Sequence, residues 1–80
     1  MVVTVRYWAG ARAAAGLAEE AVDAGTVGDL LTVLGARPEL ARVLTAASLL
    51  VDGEAVRRED TDQKLATGST IDVLPPFAGG

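Results

Sequence analysis

The sequence predicts an α+β roll, a mixed sheet of about four to five strands with one main helix laid across one face. Alternating β-branched segments near both ends, residues 2–8 and Thr70–Leu74, supply strands with one buried face. Between them Val27, Leu30, Leu31 and Leu34 fall at i, i+3, i+4 and i+7, a single apolar helical stripe that must cover something flat. Asp52-Gly53, set between apolar runs, is a dipeptide that accepts the positive φ angles of a tight hairpin turn. At 80 residues, half of them apolar, the chain makes one domain with one modest core.

In the first strand Val3, Val5 and Tyr7 point one way and Thr4, Arg6 and Trp8 the other. The Ala/Gly-rich run that follows allows one helical turn before Gly16 breaks it. A second strand is expected over Glu19–Asp23, where Ala21 sits between polar neighbours and Val22 adds β-propensity. Thr26 then caps the main helix with Asp29 in its first turn, and Gly35 suits its end. Pro38 fits the first turn of a short further helix through Leu40, Val43 and Leu44. The hairpin around Asp52-Gly53 follows, and after it residues 57–64, "RREDTDQK", read as a solvated connection that Leu65 pins to the core. The last strand, with Ile71 and Val73 alternating against Asp72, stops at Pro75 and Pro76, which bring no ladder donor. Pairing the last strand beside the first gives the topology of a β-grasp, with a domain over residues 1–74 and a tail over 75–80.

Composition narrows the chemistry. There is no cysteine and no histidine, so the chain carries no thiol nucleophile, no disulfide, no imidazole base and no soft metal ligand set. A self-contained hydrolase or metal enzyme is not expected. Eleven acidic against seven basic residues give a net charge of −4 without a basic cluster, which argues against nucleic acid. No apolar run reaches the roughly 20 residues that span a bilayer, and a cytoplasmic protein without membrane partners is expected.

The tail "LPPFAGG" is the chemically suggestive segment. Pro75 and Pro76 favour a stiff, extended path that leaves the sheet. From there the chain can reach on the order of 20 Å at about 3.3 to 3.6 Å per residue. Gly79 and Gly80 fit a channel little wider than the backbone. A terminal carboxylate is ionised at neutral pH and acylates poorly. Activation by ATP to an acyl-adenylate, then attack by a sulfur donor, would leave a thiocarboxylate on Gly80.

The chain resembles the MoaD/ThiS-type sulfur carriers over nearly its whole length, through "VRYWAGARAAAG", "LLVDGEAV" and "LATGSTIDVLPPFAGG". The ending "PPFAGG" is most similar to the branch that forms the small subunit of molybdopterin synthase. The resemblance implies that Gly80 is adenylated by a ubiquitin-activating-like (MoeB-type) adenylyltransferase that uses ATP, and is then converted to a thiocarboxylate. It further implies that residues 75–80 (Pro75, Pro76, Phe77, Ala78, Gly79 and Gly80) insert into a MoaE-type large subunit within a heterotetramer. There two loaded carriers would give the two dithiolene sulfurs of molybdopterin. The catalytic side chains then belong to the partner, and the carrier binds no cofactor itself. Thiamine- or cysteine-pathway sulfur transfer and ubiquitin-like protein modification use the same activated tail. Trp8 stands where family members often place an aromatic: it either anchors a partner or packs under the Ala/Gly turn. Arg12 matches a basic family position and either meets acidic groups of the activating enzyme or is a solvated charge. Phe77 either docks in a partner's apolar groove or folds on its own sheet. Ala13 and Gly68-Ser69 depart from common family residues and leave partner specificity open.

Overall fold

The computed structural model describes residues 1–76. The expectations placed on Phe77, Ala78, Gly79 and Gly80 lie outside the described residues. Five strands, β1 (Val2–Tyr7), β2 (Glu19–Asp23), β3 (Ser48–Val51), β4 (Glu54–Val56) and β5 (Thr70–Leu74), form one sheet in the order β2-β1-β5-β3-β4. β1 and β5 run parallel, with Thr4 opposite Thr70 and Tyr7 opposite Val73; the other pairings are antiparallel. The strand expected to end at Trp8 ends at Tyr7, because Ala9 adopts φ 47° and turns the chain into α1 (Gly10–Ala15).

The predicted period sets the faces. Val3, Val5 and Tyr7 of β1, Val22 of β2, Leu49 of β3 and Ile71 and Val73 of β5 are buried on one face. Against them pack Ala11 of α1, Val27, Leu30 and Leu34 of α2 (Val27–Gly35), and Leu40 and Leu44 of α3 (Pro38–Leu44), all in one continuous core. Leu31, the fourth residue of the stripe, packs at the margin and stays half-buried. Among the described residues no helix covers the opposite face of the sheet.

Local chemistry places the helix ends. The Thr26 hydroxyl accepts from the Asp29 amide at 3.1 Å, and Pro38 occupies the first turn of α3. Gly16, at φ 80°, closes α1 in the left-handed region, as a glycine cap does. Gly35 does not act this way. Ala36 follows it at φ −69°, and α2 passes through a tight right-handed turn in which the Arg37 amide reaches the Leu34 carbonyl at 3.2 Å. Asp52 and Gly53, at φ 50° and 86°, make the expected hairpin turn with both central residues at positive φ.

The connection after β4 does more than the expected solvated loop. Leu65 is buried as anticipated, but the loop also satisfies the free amides at the start of α2. The Val27 amide donates to the Gln63 carbonyl and the Gly28 amide to the Thr61 carbonyl, each at 2.9 Å, while Thr26 bridges Lys64. A Cβ on Gly28 would stand 3.0 Å from both the carbonyl oxygen and Cβ of Thr61.

These contacts separate two glycines of one helix. Gly28→Ala should destabilise the protein by about 1–3 kcal/mol, because overpacking against Thr61 outweighs better helix propensity. Gly35→Ala meets nothing within 4 Å and should stabilise by about 0.5–1 kcal/mol. Chemical denaturation of the two variants checks both signs.

Candidate functional site

β5 ends at Leu74, and the chain leaves the sheet through half-buried Pro75 and exposed Pro76. Each residue that precedes a proline is biased to extended backbone. Leu74 and Pro75 therefore continue the line of the strand while the ladder stops. The exit lies beside the end of β1, since Tyr7 pairs with Val73 and the Trp8 amide donates to the Val73 carbonyl at 3.3 Å.

A polar and aromatic cluster surrounds this root on the helix-free face. The Trp8 indole Nε1 donates to Asp72 Oδ1 at 2.9 Å, and Arg6 Nε forms an ion pair with the same oxygen at 3.1 Å. The Arg6 guanidinium lies over the Trp8 ring, 5.1 Å from its centroid, and that of Arg12 at 6.0 Å. Arg12 Nε also donates to the Tyr7 carbonyl at 3.4 Å. Trp8 is 38% exposed and its indole is committed to Asp72, so it is not a core side chain beneath α1. Trp8, Arg12, Pro75 and Pro76 are thus gathered at one end of the sheet. Asp72, which the sequence reading took only as an outward polar position, is the residue that fixes Trp8 and Arg6. Its place in the alternation, three residues before Pro75 and level with Arg6, was the available signal.

Behind the root, on the helix side, lies a second network that sequence reasoning did not anticipate. Glu20 pairs opposite Val5 and shares the buried face with Val22, so its carboxylate turns inward. It accepts from the Tyr7 hydroxyl and from Arg37, the residue that precedes α3. Burial pushes the Glu20 carboxyl up, but the hydrogen bonds from Tyr7 and Arg37 and the Arg37 charge together outweigh it, and the net direction is down. The Tyr7 phenol moves well above its ordinary value through burial and its bond to the carboxylate. The network ties β1, β2 and α3 together at the end of the sheet where the tail departs.

The network's pH dependence follows from these directions. A depressed carboxyl contributes stability above its unfolded value of about 4.5 and loses it as pH falls through the folded one. A raised phenol contributes below pH 10.0 and loses it as pH rises further. Unfolding free energy should therefore be level between about pH 5 and 9 and fall on both sides. Glu20→Gln should cost about 1–2 kcal/mol at neutral pH, at the lower end because Arg37 is partly solvated, and flatten the acid limb. Denaturant titrations across pH check both.

Among the described residues no group of three or more His, Cys, Asp or Glu stands together as a metal site, and no helix is long and apolar enough to cross a membrane. Comparison with curated proteins finds no sequence match. Among solved structures the chain is similar to SAMP1 from Haloferax volcanii, with 28% identity, TM-score 0.82 and full coverage of both chains. It is also similar to the HVO 2177 protein of Haloferax volcanii, with 32% identity, TM-score 0.78, and 100% of this chain aligned to 87% of that one. A complex of subunits 1 and 2 of the molybdopterin-converting factor from Helicobacter pylori contains a chain of the same fold, with TM-score 0.81 and full coverage of both chains at 21% identity. The ThiS family profile matches residues 5–80, from the second buried residue of β1 through the terminal glycines. With that match laid over a five-stranded β-grasp, the chain belongs to the ThiS family of β-grasp sulfur carriers.

Proposed function

We propose that Gly80 is the working group of this carrier. Its carboxylate attacks the α-phosphorus of ATP in a ubiquitin-activating-like adenylyltransferase, and pyrophosphate leaves. A sulfur nucleophile then displaces AMP from the acyl carbon and leaves a thiocarboxylate. The observation that carries this reading is the family match running to Gly80, together with a strand that ends in paired prolines beside an exposed tryptophan. The carrier brings the acyl group, and side chains of its partners do the catalysis. Residues 75–80 act as an insertion segment: the prolines direct it, Phe77 and Ala78 seat it, and Gly79 and Gly80 thread it. Trp8 and Arg12 form the adjoining contact surface, the first as a large aromatic anchor and the second as a cation for acidic partner groups.

The sulfur goes to molybdopterin in this reading, delivered to a MoaE-type large subunit in a heterotetramer. The string "PPFAGG" and the shared fold with subunit 1 of the Helicobacter pylori complex support that destination. A second destination, conjugation to protein lysines, is favoured by the higher identity to SAMP1, a small archaeal modifier protein. Intact-mass analysis of the protein from its native host, followed by incubation with a cognate large subunit and cyclic pyranopterin, tests the proposal. The expected result is a species with one oxygen replaced by sulfur that yields molybdopterin. Higher-mass conjugates without molybdopterin would select the modifier role, and full partner function after deletion of Gly80 would end both.

A further inference from the structure

An activated Gly80 acyl group reacts with any amine it meets, so the placement of amines on this surface matters. The inference below rests on the reading of Gly80 as an activated acyl group. Of the seven basic residues only Lys64 is a lysine. The cations at the tail root, Arg6 and Arg12, are delocalised guanidinium groups, which are not acyl acceptors as an amine is. Lys64 sits at the other end of the sheet. It bridges Thr26, which lies beyond the end of β2 where Asp23 pairs with Val2 at the start of β1. The Met1 ammonium is at that same end, held 2.7 Å from Asp23 Oδ1.

Distances exclude a reaction within one chain. From the level of Tyr7 back to that of Val2 is about 17 Å along β1. Leu74, Pro75 and Pro76 carry the chain roughly 9 Å farther in the opposite sense. The four residues after Pro76 span at most about 14 Å, and a lysine's four-carbon stem adds about 6 Å. The tail falls short of its own Lys64. A second copy has no such limit. Lys64 is exposed on a backbone fixed by the Thr26 bridge and by the buried Leu65, and the loop before it carries exposed Glu59, Asp60 and Asp62. That acidic loop complements the Arg12-bearing tail root of another molecule.

We propose that Lys64 is the side-chain acyl acceptor of this protein, that it takes the activated Gly80 of a second copy and not its own, and that arginine at the tail root keeps that end free of reactive amines. In the step, the neutral Lys64 amine attacks the Gly80 carbonyl carbon. The C–N bond forms and the bond to the leaving group, AMP or a thiol, breaks with its electron pair. The extra proton on nitrogen passes to water.

The test uses the full chain carrying a chemically installed thioester on Gly80, which needs neither an activating enzyme nor a sulfur pathway. It therefore stands or fails separately from the carrier role. Intact mass and peptide mapping read the products at low and high protein concentration. At low concentration the unsubstituted chain should give only hydrolysed acid. At high concentration it should give a dimer joined through Lys64, less abundant with added salt and at least about tenfold reduced in Lys64→Arg. Arg12→Lys should give a cyclised product, the acid less one water, at a rate independent of concentration. An amine within reach of its own tail has an effective concentration on the order of mM, so at about 10 μM protein cyclisation would lead dimerisation by roughly 100-fold. Cyclised product in the unsubstituted chain, a dimer that persists in Lys64→Arg through Met1, no dimer at high concentration, or Arg12→Lys without cyclisation would each overturn the proposal.

Discussion

β5 has to hydrogen-bond on both sides and then let go. It lies between β1 and β3, taking parallel bonds from one and antiparallel bonds from the other. No other strand joins the β2-β1 pair to the β3-β4 hairpin. The core beneath it, with Ile71 and Val73 fully buried, is filled from all three helices. Two residues later the chain meets Pro75 and Pro76. The chain therefore departs from a strand paired on both sides, and its direction at the root is fixed by main-chain bonds instead of by a hinge.

The two networks at this end of the sheet divide the work by face. On the helix side Tyr7, Glu20 and Arg37 bind β1 to β2 and to the start of α3. On the open side Asp72 gathers Arg6 and Trp8. Tyr7 and Trp8 are consecutive, so the alternation of one strand delivers a phenol to the interior and an indole to the surface. Ala9 follows at φ 47° and ψ −122°, an unfavourable conformation for a residue with a Cβ. It lets the chain turn immediately after Trp8 and lay α1 back across the core.

Most of the fold was legible because its signals are local. The alternation in β1 and β5, the stripe of α2 with its Thr26 cap, Pro38 and the Asp52-Gly53 turn each act over a few residues, and the structure repeats them. Gly35 marked the end of α2 correctly, but the helix ends there without a left-handed cap, because a helix end accepts glycine without using its freedom. The loop over residues 57–64 read as solvent-exposed because its side chains are polar; its backbone carbonyls, which cap α2, leave no compositional trace. Glu20 was missed for a related reason. A carboxylate on a buried strand face is unfavourable alone, and its partners Tyr7 and Arg37 are distant in sequence. Trp8 and Arg12 stand out in the sequence one by one, while the contact of Trp8 with Asp72 depends on the parallel register of β1 and β5.

The edges of the sheet carry their own consequence. β2 presents Glu19 and Asp23 at one border, and β4 at the other is three residues long and gives way at once to Arg57 and Arg58. Charge and brevity both discourage strands of neighbouring molecules from extending the sheet. If residues 75–80 serve as proposed, a carrier passed between partners gains from edges that do not pair among themselves. On that reading association is left to the face and the tail, where side chains can choose the partner, and is withheld from the backbone, which would accept any strand.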